Sequence, residues 1–273
     1  MTAKRWTLLA AVLGSTIVGL DSTIVGVALP RIGQELPTAR LGVLEAQAYV
    51  YNAYLLAMNA LLILGGALGD YYGRRRIFRI GLIAFGAASL ACGLAPTMET
   101  LVLFRLIQGA AGALLVPGAL ALIRAAFPGD EAGRAYGVWA GASAGATILA
   151  PFLGGLAVDT LSWRVAFLAN VPVVLVALWV VQRHVRESRD SAASGAFHWA
   201  GAALVALGVG GLAFGPIYGQ QRDWHAPLAF VALAVGGAAT LALPWAMARA
   251  KHPLVPLSLF RSRNFTVTNL STL

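Results

Sequence analysis

The sequence predicts an all-α integral membrane protein, and three observations lead to this fold class. Hydrophobic residues make up 59% of the 273 residues and charged residues only 11%, whereas soluble domains contain roughly 45–50% and about 25%. Eight nearly uncharged stretches have the length of about 20 residues that a helix needs to cross a bilayer. The alternating pattern of membrane β-barrel strands is absent. The backbone N–H and C=O groups are therefore expected to form their hydrogen bonds within helices.

The eight predicted spans follow one another through short polar loops. They lie at residues 6–30, 47–69, 77–95, 99–122, 135–158, 163–182, 199–219 and 226–248. The longest loop divides the spans six and two, which predicts a six-span bundle over 1–182, a cytoplasmic loop over 183–198 and two further helices over 199–248. Residues 249–273 are expected to form a cytoplasmic segment and the start of a truncated ninth span.

The distribution of lysine and arginine orients the spans. With the amino terminus in the cytoplasm, fifteen of the 20 basic residues fall on the inner side and four on the outer side, which is the bias of a multi-pass membrane protein. The net charge of +9 is therefore attributed to contact with the anionic surface of the lipid bilayer, and no nucleic acid is expected as a partner.

Several classes of protein are disfavoured by what the chain contains. A single cysteine, Cys92, and four scattered histidines predict neither a disulfide nor a metal site. No phosphate-binding lysine loop and no serine–histidine–acid arrangement is recognised in the sequence. We therefore expect no enzyme, no catalytic residues and no cofactor.

Two ionisable residues, Asp21 and Arg105, lie well inside predicted spans. Each costs on the order of 2.5–3.5 kcal/mol at the centre of a membrane helix, which makes it a functional candidate by default. Asp21 lies fifteen residues after Trp6, about 22 Å from the inner face. Arg105 lies six residues after Glu99, about 9 Å from the outer face. At such similar depths the two side chains are expected to face one polar cavity and form a proton site; the alternative is a static pair that joins spans 1 and 4.

Five uncharged polar residues within the spans are candidates for the lining of a substrate cavity. They are Asn52 and Asn59 on span 2, Gln108 on span 4, and Ser143 and Thr147 on span 5. The two asparagines are seven residues apart and so share one helix face. The alternative for each residue is a hydrogen bond between helices, worth about 0.6 kcal/mol on average.

Span 5 has a glycine at every fourth position, followed by a proline and a double glycine. The residues are Gly133, Gly137, Gly141, Gly145, Pro151, Gly154 and Gly155. This spacing predicts a flat stripe along which another helix packs closely. The proline removes a backbone hydrogen bond and bends the helix. Packing alone explains the stripe, and the proline with the double glycine suggests a hinge or a sealing contact.

The loop between spans 2 and 3, residues 66–76, is the strongest local signal. Gly73 is expected to adopt a positive φ in this tight reversal. Asp70 lies just before span 3 and is expected to cap the first amide groups of that helix. Arg74 and Arg75, taken alone, are anchors on the cytoplasmic side.

Taken together, five stretches resemble the motifs of the major facilitator superfamily, specifically of its fourteen-span drug/proton antiporters. Residues 20–30 resemble the span 1 signature, and Gly66 to Arg76 resembles the loop that gates these transporters. Residues 105–109 resemble the span 4 motif whose arginine is linked to proton transfer. Residues 137–155 resemble the span 5 antiporter motif, and 163–172 the entry to span 6. Spans 7 and 8 resemble the two extra helices that this subfamily inserts between its halves.

The resemblance implies a proton-coupled efflux transporter of the bacterial inner membrane that works by alternating access. Asp21 would load and release the proton, and Arg105 would tune it. Asp70 with Arg74 and Arg75 would latch the cytoplasmic gate, and span 5 would seal the two halves. The substrates would be small amphipathic molecules, as in multidrug efflux and antibiotic resistance, and the proton gradient would supply the energy without a cofactor.

Two other interpretations remain open at this point. An exporter of one specific metabolite would have the same fold, and a transport-inactive membrane protein would result from truncation. Since the sequence stops within the expected ninth span, we expect that this chain transports only with the missing carboxy-terminal half or a second copy of itself.

Overall fold

A computed structural model describes residues 2–39, 41–190 and 197–250. Over these ranges the protein has nine α-helices and no strand, which confirms the all-α prediction. The helices are α1 Ala3–Glu35, α2 Val43–Tyr72, α3 Arg74–Gly93, α4 Met98–Ala126, α5 Asp130–Thr160, α6 Val165–Leu168, α7 Asn170–His184, α8 Trp199–Gln221 and α9 Pro227–Arg249.

Eight helical segments of the described chain are long and apolar enough to cross a membrane, as predicted. The sixth segment, Val165–His184, consists of α6 and α7, which are separated by a break at Ala169. Helices α1, α2, α4 and α5 extend beyond their predicted spans at both ends. Helix α1 has 33 residues, about 50 Å at 1.5 Å per residue. That exceeds a hydrocarbon core of about 30 Å, because polar residues at the ends continue the helix outside the core.

The first compact unit comprises Met1–Asp190 and contains α1 to α7. Its closest helix approach joins α2 and α4 through two glycines. A Cβ atom on Gly65 would lie 2.0 Å from the carbonyl oxygen of Ala113, and one on Gly109 would lie 2.2 Å from that of Tyr54. Only hydrogen fits at these positions, so both glycines are required for the packing.

The glycine stripe on α5 has a different environment from the predicted one. A Cβ atom added at Gly137, Gly141 or Gly145 would meet no atom within 4 Å, so no described helix packs along this part of the stripe. Further along α5, a Cβ atom on Gly154 would lie 2.7 Å from Ile24 of α1. Close packing therefore involves the end of the motif, where Pro151 and the double glycine lie.

The second compact unit comprises Ser191–Leu273, of which residues 197–250 are described. Helices α8 and α9 form an antiparallel pair in which Gly211 packs against Gly236 and Ala232. The turn between the helices places Asp223 and Trp224 at positive φ. The predicted ninth span lies outside the described residues.

Candidate proton-binding site

A cluster of polar side chains lies inside the first unit, where four segments meet. Asp21 comes from α1, Ser89 from α3, Arg105 and Gln108 from α4, and Asn170 from the first position of α7. Four of these residues have no exposed area and Asn170 has 4%. The sequence predicted that Asp21 and Arg105 face one polar cavity; in the structure they pair directly, and neither side chain has any exposed area.

The Asp21 carboxylate accepts a hydrogen bond from each of three side chains. Its Oδ2 atom accepts from Nη1 of Arg105 in a buried ion pair. Its Oδ1 atom accepts from Nε2 of Gln108 at 2.8 Å and from Nδ2 of Asn170 at 2.9 Å. Since hydrogen bonds to a charged group are stronger than those between neutral groups, these three donors stabilise the ionised form of Asp21.

Ser89 and Gln108 close this arrangement into a ring. Gln108 donates to Oγ of Ser89 at 2.7 Å and accepts from Arg105 at 2.7 Å. Asn170 also lies 3.4 Å from the Ser89 oxygen. Each polar group thus orients its neighbour, and the position of the carboxylate is fixed by groups from three other helices.

Arg105 is surrounded by aromatic rings and carbonyl groups on its remaining sides. Its guanidinium carbon lies 4.0 Å from the centroid of the Tyr54 ring, and its Nε donates to the carbonyl oxygen of Val50 at 3.2 Å. Its Nη2 atom is buried and has no hydrogen-bond partner among the described residues. Within the described part of the chain, Asp21 is the one carboxylate that pairs with Arg105.

The five predicted cavity residues do not come together. Gln108 belongs to the enclosed cluster. Ser143 and Thr147 lie between α5 and α1, where Ser143 accepts a hydrogen bond from Thr16 at 3.5 Å and Thr147 donates to the Ser143 carbonyl at 2.9 Å. The bond from Thr16 is the interhelical alternative for Ser143, whereas the Thr147 bond lies within α5 itself. Asn52 is half-buried and Asn59 is exposed.

The predicted gate loop is a one-residue reversal at Gly73. This residue has a φ of 110° and is both the C-cap of α2 and the N-cap of α3. Nearby, Gly66 packs against Pro117, with 3.4 Å between an added Cβ and the proline. Asp70 forms an ion pair with Arg74 at 2.7 Å.

The cap of α3 is Glu187, and the prediction that Asp70 fills this role is wrong. The Glu187 carboxylate accepts hydrogen bonds from the backbone amides of Arg75 at 3.0 Å and Arg76 at 3.1 Å. Asp70, near the end of α2, instead pairs with Arg74, the first residue of α3, across the reversal at Gly73. A carboxylate at the positive end of a helix stabilises that end, so Glu187 fixes the start of α3.

The chain after α7 folds back onto the same reversal. The amide of Arg74 donates to the Ser188 carbonyl at 2.9 Å, and the amide of Asp190 donates to the Asp70 carbonyl at 3.1 Å. The Arg75 side chain donates to the Gln182 carbonyl at 2.7 Å. Arg75 therefore joins the loop to the end of α7, a contact that the sequence did not predict.

Comparison with known proteins identifies the family. Residues 11–262 match the Major Facilitator Superfamily, and the chain belongs to it. The chain is 38% identical to the tetracenomycin C resistance and export protein of Streptomyces glaucescens, over 96% of this chain and 48% of that protein. It is 35% identical to the methylenomycin A resistance protein of Streptomyces coelicolor, over 81% of this chain and 46% of that protein. It thus spans about half the length of these relatives.

Two solved structures share the fold. The crystal structure of tetrameric PepTSo2 aligns with 98% of this chain and 58% of that chain, with a TM-score of 0.61 and 14% identity. The inward-facing crystal structure of a bacterial homologue of the human lysosomal transporter Spinster aligns with 88% of this chain and 60% of that chain. Its TM-score is 0.54 and its identity 21%. At these identities the likeness concerns the fold alone.

Proposed function

We propose that this chain forms the amino-terminal part of a proton-coupled efflux transporter for small amphipathic molecules. The observation that carries the proposal is the buried ion pair of Asp21 and Arg105, enclosed in the six-span unit of a Major Facilitator Superfamily chain. The relatives named for antibiotic resistance and export support efflux rather than uptake. No catalytic step and no cofactor forms part of this proposal.

The ion pair gives a physical route from proton binding to helix movement. In the ionised state the charges of Asp21 and Arg105 cancel within a dry site. A proton on Asp21 removes the counter-charge that Arg105 has among the described residues, and an unpaired buried charge is strongly unfavourable. Arg105 then has to find other acceptors, so α4 and α1 shift against each other. Proton release restores the pair, and alternation between these states drives transport.

The loop at Gly73 is proposed to serve as the cytoplasmic gate. It is built from the Asp70–Arg74 ion pair and the Glu187 cap. The proposed orientation places the amino terminus and the Gly73 loop in the cytoplasm, which the excess of basic residues on the cytoplasmic side supports. The proposed membrane is the bacterial inner membrane. Alternating access needs a second bundle to move against. We therefore propose that the partner is a carboxy-terminal half or a second copy, sealed along α5.

The test is proton release driven by substrate in everted membrane vesicles. Vesicles would contain the complete native polypeptide or its Asp21→Asn variant, with ethidium as an amphipathic substrate and a pH-sensitive dye inside. The variant is expected to lose proton-coupled accumulation while it still exchanges ethidium across the membrane down its gradient. Asp159→Asn, at the exposed end of α5, is the matched control and is expected to behave like the wild type.

Two results would count against the proposal. Equal proton release by Asp21→Asn and the Asp159→Asn control would remove Asp21 from the proton pathway. Ethidium accumulation that persists after the proton gradient is collapsed would show that another energy source drives transport.

A further inference from the structure

Asn170 occupies the point at which the sixth membrane-spanning segment is interrupted. Helix α6 ends at Leu168, Ala169 stands between the helices, and Asn170 begins α7. Pro172 follows two residues later and has no N–H group to donate to the Leu168 carbonyl, four residues before it. The Leu168 carbonyl therefore has no helical donor at residue 172, close to the residue whose side chain reaches Asp21.

The hydrogen bond between Asn170 and Asp21 joins residues that are far apart in the sequence and lies in the buried interior. The two residues are 149 positions apart, and their side chains are 2.9 Å apart. Asn170 is 4% exposed and Asp21 has no exposed area. Bulk solvent does not reach the bond, and a hydrogen bond to a carboxylate is stronger than one to a neutral carboxyl group.

We propose that Asn170 is a positioning residue that holds ionised Asp21 and transmits its protonation to the junction of α6 and α7. This inference rests on the proposed proton site at Asp21. When Asp21 is ionised, the bond from Asn170 is charge-assisted and ties the start of α7 to α1. When Asp21 is protonated, the carboxyl oxygen becomes a weaker acceptor, and the Asn170 amide keeps its longer hydrogen bond to the Ser89 oxygen at 3.4 Å. The tie between α1 and the start of α7 is then weakened next to the interruption at Ala169.

The titratable groups around Asp21 are few and lie on three helices. Arg105 of α4 is its ion-pair partner. Tyr54 of α2 lies under the Arg105 guanidinium, and Cys92 of α3 lies 3.5 Å from the Gln108 amide oxygen. The Tyr54 hydroxyl donates to the Val18 carbonyl and the Cys92 thiol to the Gln108 amide oxygen, so neither hydrogen-bonds to Asp21. The charge on Asp21 is therefore sensed directly by Arg105, Gln108 and Asn170, and of these only Asn170 belongs to the sixth segment.

The test is amide hydrogen exchange of residues 165–171 in the purified full chain, in a cycle of Asn170→Ala and Asp21→Asn. Each single variant is expected to raise the exchange rate of these amides by roughly tenfold or more, the lower end of what a hydrogen bond to a charged group contributes. The double variant is expected to exchange no faster than either single variant, because both remove the same link. Ser22→Ala is the control, since the Ser22 hydroxyl donates only to the Gly19 carbonyl of its own helix, and it is expected to leave the rate unchanged.

The outcomes separate this inference from a purely structural role and from the proposed function. Rates that rise additively in the double variant, or do not rise in Asn170→Ala, overturn the inference. If Asn170→Ala does not yield folded protein, Asn170→Asp keeps the shape and replaces the donating amide by an oxygen, with the same expected rise. The exchange assay requires no transport, so its failure leaves the vesicle experiment on Asp21 unaffected, and the reverse also holds.

Discussion

Replacement of Asp21 by asparagine is expected to destabilise the first unit by about 3–5 kcal/mol, the cost of removing one partner from a buried ion pair. Neither Asp21 nor Arg105 has any exposed side-chain area, so water does not compensate the remaining charge. The carboxylate accepts from donors on Arg105, Gln108 and Asn170. Asparagine offers one acceptor oxygen and one donating amide in the same space, so at least one donor faces another donor in either orientation of the amide.

A second substitution separates the unpaired charge from the altered shape. Asp21→Asn combined with Arg105→Gln leaves no uncompensated charge in the cluster. Because most of the cost comes from that charge, the double variant is expected to recover most of the stability that the single variant loses. A coupling free energy obtained from this cycle measures the interaction of the two side chains.

The assay is unfolding of the detergent-solubilised protein by sodium dodecyl sulfate, followed by tryptophan fluorescence. Asp159→Asn is the matched control: Asp159 is exposed, and an exposed substitution is expected to change stability by less than about 0.5 kcal/mol. Equal stability of the Asp21 and Asp159 variants would refute the reasoning. Losses that simply add in the double variant would refute it as well, since they would show that the two charges do not depend on each other.

Three further predictions concern the packing and the loop, and the first two use the same unfolding assay. Gly109→Ala places a methyl group 2.2 Å from the Tyr54 carbonyl oxygen and is expected to cost about 1–3 kcal/mol through overpacking, whereas Gly137→Ala, in open space, is expected to cost nothing measurable. Gly73→Ala puts a side chain at a φ of 110° and is expected to cost about 1–2 kcal/mol. Glu187→Ala removes the cap of α3, is expected to cost about 0.5–2 kcal/mol, and raises hydrogen exchange at the first amides of that helix. Unchanged unfolding midpoints for Gly109→Ala and Gly73→Ala would contradict the first two expectations. Unchanged exchange at the start of α3 in Glu187→Ala would contradict the third.

Asp21 and Arg105 show how far sequence alone could go towards the site. Their depths followed from helix rise and span position, because one residue adds about 1.5 Å whatever its neighbours are. The other members could not be found in this way. Ser89 is a single small polar residue in an apolar span. Asn170 lies within residues 163–172, which resemble a family motif as a whole and do not indicate which side chain meets Asp21. Which polar residue meets the carboxylate depends on how four helices cross.

The two glycine patterns show the same limit in packing. The regular spacing on α5 predicted close contact at Gly137, Gly141 and Gly145, where the described chain leaves open space. The closest approach is instead at Gly65 and Gly109, on α2 and α4. Regular spacing places glycines on one helix face, but it does not say which helix that face meets.

The sequence by itself determined the number of membrane spans, the all-α class and the motifs of the superfamily. These properties follow from hydropathy and local patterns, which add up along the chain without reference to the fold. Only the tertiary structure decided which groups hold Asp21 and which carboxylate caps α3. Asn170 is 149 residues from Asp21, and Glu187 is 112 residues from Arg75. Hydrogen bonds act over about 3 Å, so such partners are set by helix packing and not by their separation in the sequence.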